Sequence, residues 1–296
     1  MEKVVVTGFS QNRYLLMLLE LSENNYICNK VIGFSTTEKI AVHSILSSGN
    51  IVYLADSFNN KIYKYNFDNY EFDETTVGRD PRHMCLNNEN MFVTNFESDS
   101  ISVIDLEDFT LTGSIPADIK PHDTICNGKI NKLYTSCYEE NKILEYDLSN
   151  GIKRYFYTEG KPMHLFLSEK NIIVMTYYVN GCLYTKINFI NTDTGKMEKV
   201  IDIEGLISNF ELDIRSDLLY LINIVEKSIY IIDVKKREIV KQIFLGGYPE
   251  GLTFTVDKIL VTNSKKNQIN IIDKETLTVL NNIDLNFIPE CIKAIN

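Results

Sequence analysis

The sequence predicts an all-β protein, a seven-bladed β-propeller with four antiparallel strands per blade, filling residues 1–296 as one domain. Three observations predict it. A strand motif recurs seven times, the segments between copies read as short strands parted by turn residues, and the two chain ends carry complementary fractions of one repeat. The fullest copies of the motif are Met91-Phe-Val-Thr-Asn95, followed by Ile101-Ser-Val-Ile-Asp105, and Ile259-Leu-Val-Thr-Asn263, followed by Ile269-Asn-Ile-Ile-Asp273. Weaker copies stand at Val52–Asp56, Leu133–Cys137 and Leu219–Asn223, and degenerate ones at Val4–Gly8 and Ile172–Thr176. Anchored on Val5, Tyr53, Phe92, Tyr134, Val174, Tyr220 and Leu260, the spacing averages about 42 residues, the length of a four-stranded blade.

Each repeat resolves into strands A to D. Strand A opens Pro-x-x-Φ, as in Pro81-Arg-His-Met-Cys-Leu86. Strand B is the Val-Thr-Asn strand, strand C closes on Asp or Asn, and strand D is amphipathic, as in Leu111-Thr-Gly-Ser-Ile115. Strands buried on both faces read as near-continuous apolar runs, which suits A to C. The intervening Asn, Asp, Gly and Ser supply turn geometry. Asp105, Asp147, Asp233 and Asp273, which close strand C, are expected to accept backbone N–H bonds in those turns. The best helical rival, Lys235 to Phe244, is overridden by the repeat register. Residues 4–34 supply strands B, C and D alone, and Pro289 to Ile295 supply strand A alone. Together they complete the seventh blade and leave no open sheet edge at the seam.

The Phe-Val-Thr-Asn…Val-Ile-Asp pattern resembles the YVTN-repeat β-propellers over essentially the whole chain. Asp80-Pro-Arg-His83 and Pro121-His122 are similar to segments of the seven-bladed lactonase family related to bacterial 6-phosphogluconolactonase. That resemblance implies a hydrolase or lyase acting at the central channel. The chain has no Trp, which separates it from WD40 repeats, and one Gly-Gly pair, Gly246-Gly247, which separates it from kelch.

Acidic residues number 40 against 30 basic ones, a net charge of -10 with no basic run long enough to neutralise phosphates. Nucleic acid and anionic membrane surfaces are therefore not expected as partners. The N-terminus has no basic segment leading into an apolar stretch, and the six cysteines form no Cys-x-x-Cys pair. A cytoplasmic protein with mostly buried, reduced thiols is expected on those grounds. No Gly-x-Ser-x-Gly, His-Glu-x-x-His or Walker sequence is present.

The chain has four histidines, and all fall at strand A starts. Aligning Pro81, Pro121, Pro162, Pro249 and Pro289, with Ala41 and Ile207 placed by strand pattern, gives two slots per blade. The first slot reads Val42, Arg82, His122, Met163, Ser208, Glu250, Glu290, and the second reads His43, His83, Asp123, His164, Asn209, Gly251, Cys291. Strand A is innermost, so these slots should gather at one mouth of the channel, beside the strand B ends that carry Asp56, Asn95, Cys137, Asn223 and Asn263.

Three readings are open. His43, His83, His164 and Asp123 would hold a divalent transition metal (Zn, Fe or Cu), as imidazoles with a carboxylate do. Alternatively, His83 or His122 would act as general base while Arg82 clamps a small anionic molecule, with Asp56, Asn95, Glu250 and Glu290 completing the ligand rim. Third, the imidazoles would serve the fold, hydrogen-bonding neighbouring blades. Phe96 and Tyr177-Tyr178 are placed to stack on a ligand or to fill space between blades. A non-catalytic scaffold that binds a protein partner on a propeller rim is the alternative to any site.

Overall fold

The structure, a computed structural model, describes residues 2–21, 28–87, 89–168 and 170–295. It holds seven four-stranded antiparallel sheets. Six are continuous in sequence. Blade 1 runs from strand A Val42–Ser48 to strand D Phe72–Thr76, and blade 2 from Pro81–Leu86 to Leu111–Pro116. Blades 3, 4, 5 and 6 begin with strands A at Pro121–Asn127, Lys161–Ser168, Ile207–Asp213 and Pro249–Phe254. Blade 7 takes its strands B, C and D from Glu2–Ser10, Arg13–Leu21 and Cys28–Thr36, and its strand A from Ile288–Ile295. Lys3 pairs with Ile295 and Phe9 with Ile288, so the last strand of the chain zips onto the first. The helical rival at Lys235–Phe244 is instead a turn and the outer strand Glu238–Phe244 of blade 5.

Seven apolar clusters hold the ring, one at each blade interface. The alternation of strand B explains this. Val4 and Val6 face blade 6, while Val5 between them faces blade 1. Each fully buried aliphatic or aromatic side chain contributes roughly 1.5–3 kcal/mol. The clusters are uneven. The blade 6–7 interface has thirteen buried members, whereas the blade 2–3 interface has three, Phe92, Ile101 and Leu133.

The Val-Thr-Asn motif has a separate task for each residue. Val93 is buried in the blade interface. The Thr94 hydroxyl accepts the His83 N–H (3.1 Å) and donates to the His122 carbonyl of the next blade (2.8 Å). Ser136 does the same between Asp123 N–H and the Met163 carbonyl, and Thr262 between Gly251 N–H and the Glu290 carbonyl. The Asn side chain lies under the loop that enters strand A. Asn263 accepts from Tyr248 N–H and donates to the Gly246 carbonyl. Gly247, at φ +67°, sits so close that a Cβ there would lie 2.2 Å from the Asn263 Oδ1.

Candidate functional site

A β-bulge builds the site. In blade 2, Pro81 pairs with Asn95 and Met84 with Val93, so two residues, Arg82 and His83, stand opposite one. The same shift occurs between Pro121 and Thr124, and between Pro162 and Leu165. A bulge re-aims side chains, and in blades 1, 3, 4 and 5 it lets two consecutive residues of strand A line the bore, whereas blade 2 contributes His83 and blade 7 Cys291.

The pairings correct one register. Val42 pairs with Asp56 and Ile45 with Leu54, which makes Val42 the counterpart of Pro81 and His43 the counterpart of Arg82. His43 therefore occupies the first slot, one place earlier than the sequence pattern suggested. Blade 1 has no proline at its strand A start, and nothing in the local sequence fixed the offset.

Two tiers result. The first is His43, Arg82 and His122 from blades 1 to 3, and the second is His83, Asp123 and His164 from blades 2 to 4. The ring centroids of His43 and His122 are 5.3 Å apart, and those of His83 and His164 are 4.7 Å apart. His83 lies 5.1 Å from both His43 and His122. All four imidazoles line a cavity of about 620 Å³ that also touches strands A of blades 5 to 7. The donor atoms of His43, His83 and His122, and those of His83, Asp123 and His164, fall within 4.8 Å of one another.

Charge differs between the tiers. In the first, Arg82 donates from Nη2 to Asp80 (2.6 Å) and from Nη1 to His43 Nδ1 (3.1 Å), and its guanidinium lies 4.7 Å over the Phe96 ring. A guanidinium has no acceptor, so His43 Nδ1 accepts and its proton sits on Nε2. In the second tier, Asp123 is 8% exposed, and its oxygens accept Thr124 N–H (2.7 Å) and Leu165 N–H (3.0 Å). Those bonds aim the carboxylate between His164 Nδ1 at 3.5 Å and His83 Nδ1 at 3.8 Å. His83 Nε2 and His122 Nδ1 are buried with no hydrogen-bond partner among the described residues. An orphaned buried nitrogen is costly, by about 1–3 kcal/mol.

Burial holds the imidazoles of His43, His83 and His122 well below their ordinary pKa, and the neighbouring imidazoles and Arg82 push the same way. At neutral pH these rings are uncharged and keep a lone pair. A buried trio of neutral imidazoles beside a fixed carboxylate can bind a cation, accept a proton, or orient a polar ligand.

The expected rim residues are placed differently. Asp56 is fully buried and accepts Ala41, Phe58 and Asn59 N–H groups and the Tyr63 hydroxyl. Asn95 is fully buried and donates to Ser100 and Ser102. Both spend these groups on their own blade. Glu250 and Glu290 take the first slot in blades 6 and 7 and do not line the cavity. Glu250 accepts from Ser264, and burial beside Glu250 raises Glu290 to about 7. Tyr177 lines the cavity and donates to the Ile207 carbonyl (2.7 Å), while Tyr178 is exposed.

Sequence reasoning missed Asp80, the partner of Arg82, although it directly precedes the proline. It also missed the cysteines. Cys85 and Cys126, on strands A of blades 2 and 3, form a disulfide with Cα atoms 6.1 Å apart, which corrects the expectation of reduced thiols at those two positions. Their separation of 41 residues, close to one repeat, was the available signal. Cys137, Cys182 and Cys291 are free, and the side chain of Cys28 lies outside the described residues.

No protein-family model matches the chain, and no curated protein sequence matches it. Solved structures do match its fold. A candidate 6-phosphogluconolactonase from Bacteroides fragilis superimposes with a TM-score of 0.77 at 14% identity, covering 100% of this chain and 98% of that one. The periplasmic gluconolactonase of Pseudomonas aeruginosa gives 0.75 at 12% identity, covering 100% and 99%. AztD from Citrobacter koseri gives 0.69 at 13% identity, covering 99% and 97%. At such identities the likeness establishes architecture, and this chain is a seven-bladed β-propeller of the architecture those three proteins share.

Proposed function

We propose that this propeller binds one divalent transition-metal ion in its bore through His83, Asp123 and His164, and presents it to a small anionic molecule held by Arg82. The observation that carries the reading is the second tier, two imidazoles flanking a buried, pre-aimed carboxylate. A tetrahedral ion about 2.1 Å from its ligands sets them about 3.4 Å apart. The imidazole–carboxylate distances of 3.5 and 3.8 Å are close to that spacing. Three protein ligands leave one position open, as catalytic sites require. His43 is not assigned to the ion, because its Nδ1 is engaged by Arg82 and its Nε2 carries the proton.

Lactonase-like hydrolysis is the chemistry this arrangement serves best. An ion held there would lower the pKa of a bound water. His122, neutral and with an Nδ1 that has no partner among the described residues, would take the proton of that water, and Arg82 would orient an acidic substrate. A cavity in which four imidazoles and Asp123 converge among apolar side chains favours this site over a scaffold that works through its rims alone.

Titration of chelator-treated protein with Co(II), followed by visible absorption, tests the reading. One equivalent should bind. His83→Ala/His164→Ala should weaken binding at least a hundredfold, and His43→Ala should leave it within about threefold. Absence of binding, or binding that the double variant retains, overturns the proposal.

A further inference from the structure

We infer that the Cys85–Cys126 disulfide is a redox-sensitive brace of the bore site, so that the bound ion is held tightly only while the disulfide is intact. This rests on the metal reading above for its consequence, but not for its structural basis. The disulfide joins strands A of blades 2 and 3. Those two strands carry Arg82 and His83 on one side and His122 and Asp123 on the other. Cys85 follows His83 by two residues, and Cys126 follows Asp123 by three. Any relative shift of the strands changes the distance between His83 and Asp123.

Among the described residues, the interface they share has the fewest buried apolar members in the ring. Three compare with seven to thirteen at the other six interfaces, and the rest of its cluster is only partly buried. Cys85 and Cys126 themselves pack against that small cluster. The covalent link stands where aliphatic packing is least able to fix the geometry. Both cysteines also line the 620 Å³ cavity, so a small dithiol entering the bore can meet the bridge. Its thiolate attacks one cysteine sulfur and breaks the S–S bond. Its second thiol then closes a cyclic disulfide on the reagent, and Cys85 and Cys126 are left as two protonated thiols.

Peptide mapping without reductant should recover a Cys85–Cys126 cross-linked peptide, and finding both thiols free in protein handled under air overturns the inference. Co(II) titrations then compare oxidised protein with protein reduced by a dithiol and desalted without oxygen. Reduction should weaken Co(II) binding roughly tenfold, as loss of a ligand's supporting contacts does. Cys85→Ala/Cys126→Ala should match the reduced protein, and Cys291→Ala, which removes a bore-lining thiol outside the bridge, should match the oxidised one. If the double variant does not fold, the reduced wild-type protein carries the comparison. Equal affinity in the two redox states overturns the brace. Should neither state bind Co(II), the metal reading fails. The brace is then judged on histidine ring-proton NMR of metal-free protein, where reduction should shift the His83 and His122 signals and unchanged signals would overturn it.

Discussion

Glu290 shows how a single side chain at this mouth makes stability depend on pH. Burial and the neighbouring Glu250 raise it from an ordinary value of 4.5 to about 7. The folded protein therefore holds this proton more tightly than the unfolded chain does. The stabilisation is fully present below about pH 4.5 and is lost as pH rises through about 7. His43, His83 and His122 run the opposite way. Their pKa values are lowered on folding, so their stabilisation is present above about 6.5 and lost as pH falls. Glu290→Gln separates the two. Urea midpoints measured from about pH 5 to about pH 8 should show wild type losing stability relative to the variant as pH rises. A constant difference between the two curves would show that Glu290 keeps an ordinary carboxyl. The same scale explains why the sequence points to Asp56 and Asn95 as rim ligands. Residue type and position at a strand end were visible, but the backbone N–H groups and hydroxyls that claim Asp56 and Asn95 were not.

At the scale of a strand, the hydroxyl of the Val-Thr-Asn motif is the part that places the site. Thr94→Val removes an acceptor for His83 N–H and a donor to the His122 carbonyl, and should cost about 1–3 kcal/mol in urea unfolding. Thr262→Val removes the equivalent pair in blade 6, outside the four blades that carry the histidines, and should cost a similar amount. Only Thr94→Val should also weaken Co(II) binding. Equal effects of the two on Co(II) would show that the staple acts through global stability. The motif was legible as a repeat, and so were the blade count and the strand assignments, because apolar period and turn residues are local properties. The staple was not, since its two partners lie 11 and 28 residues away on other strands. Register was legible wherever a proline marked the strand A start. In blade 1, without one, the pattern placed His43 one residue off, and with a two-residue bulge such a slip exchanges tiers.

The closed ring makes all seven interfaces interdependent. Removing residues 288–296 deletes strand A of blade 7, which contacts both blade 6 and blade 1 through Ile292 and Ile295. The truncated chain should lose its single cooperative transition in calorimetry, unfolding at lower temperature and in more than one step. A single transition at the wild-type temperature would mean that the seam contributes little. The disulfide also bears on this scale. Cystines persist in oxidising compartments, so the cytoplasmic expectation loses the support it drew from the cysteines. The seam has a mechanical corollary. Lys3 lies opposite Ile295 in an antiparallel pair, so both ends of the chain leave from the same end of one ladder. A load applied between the termini would peel that ladder open bond by bond instead of shearing it whole. In an optical trap, the ring should part at low force, and part first at its own clasp.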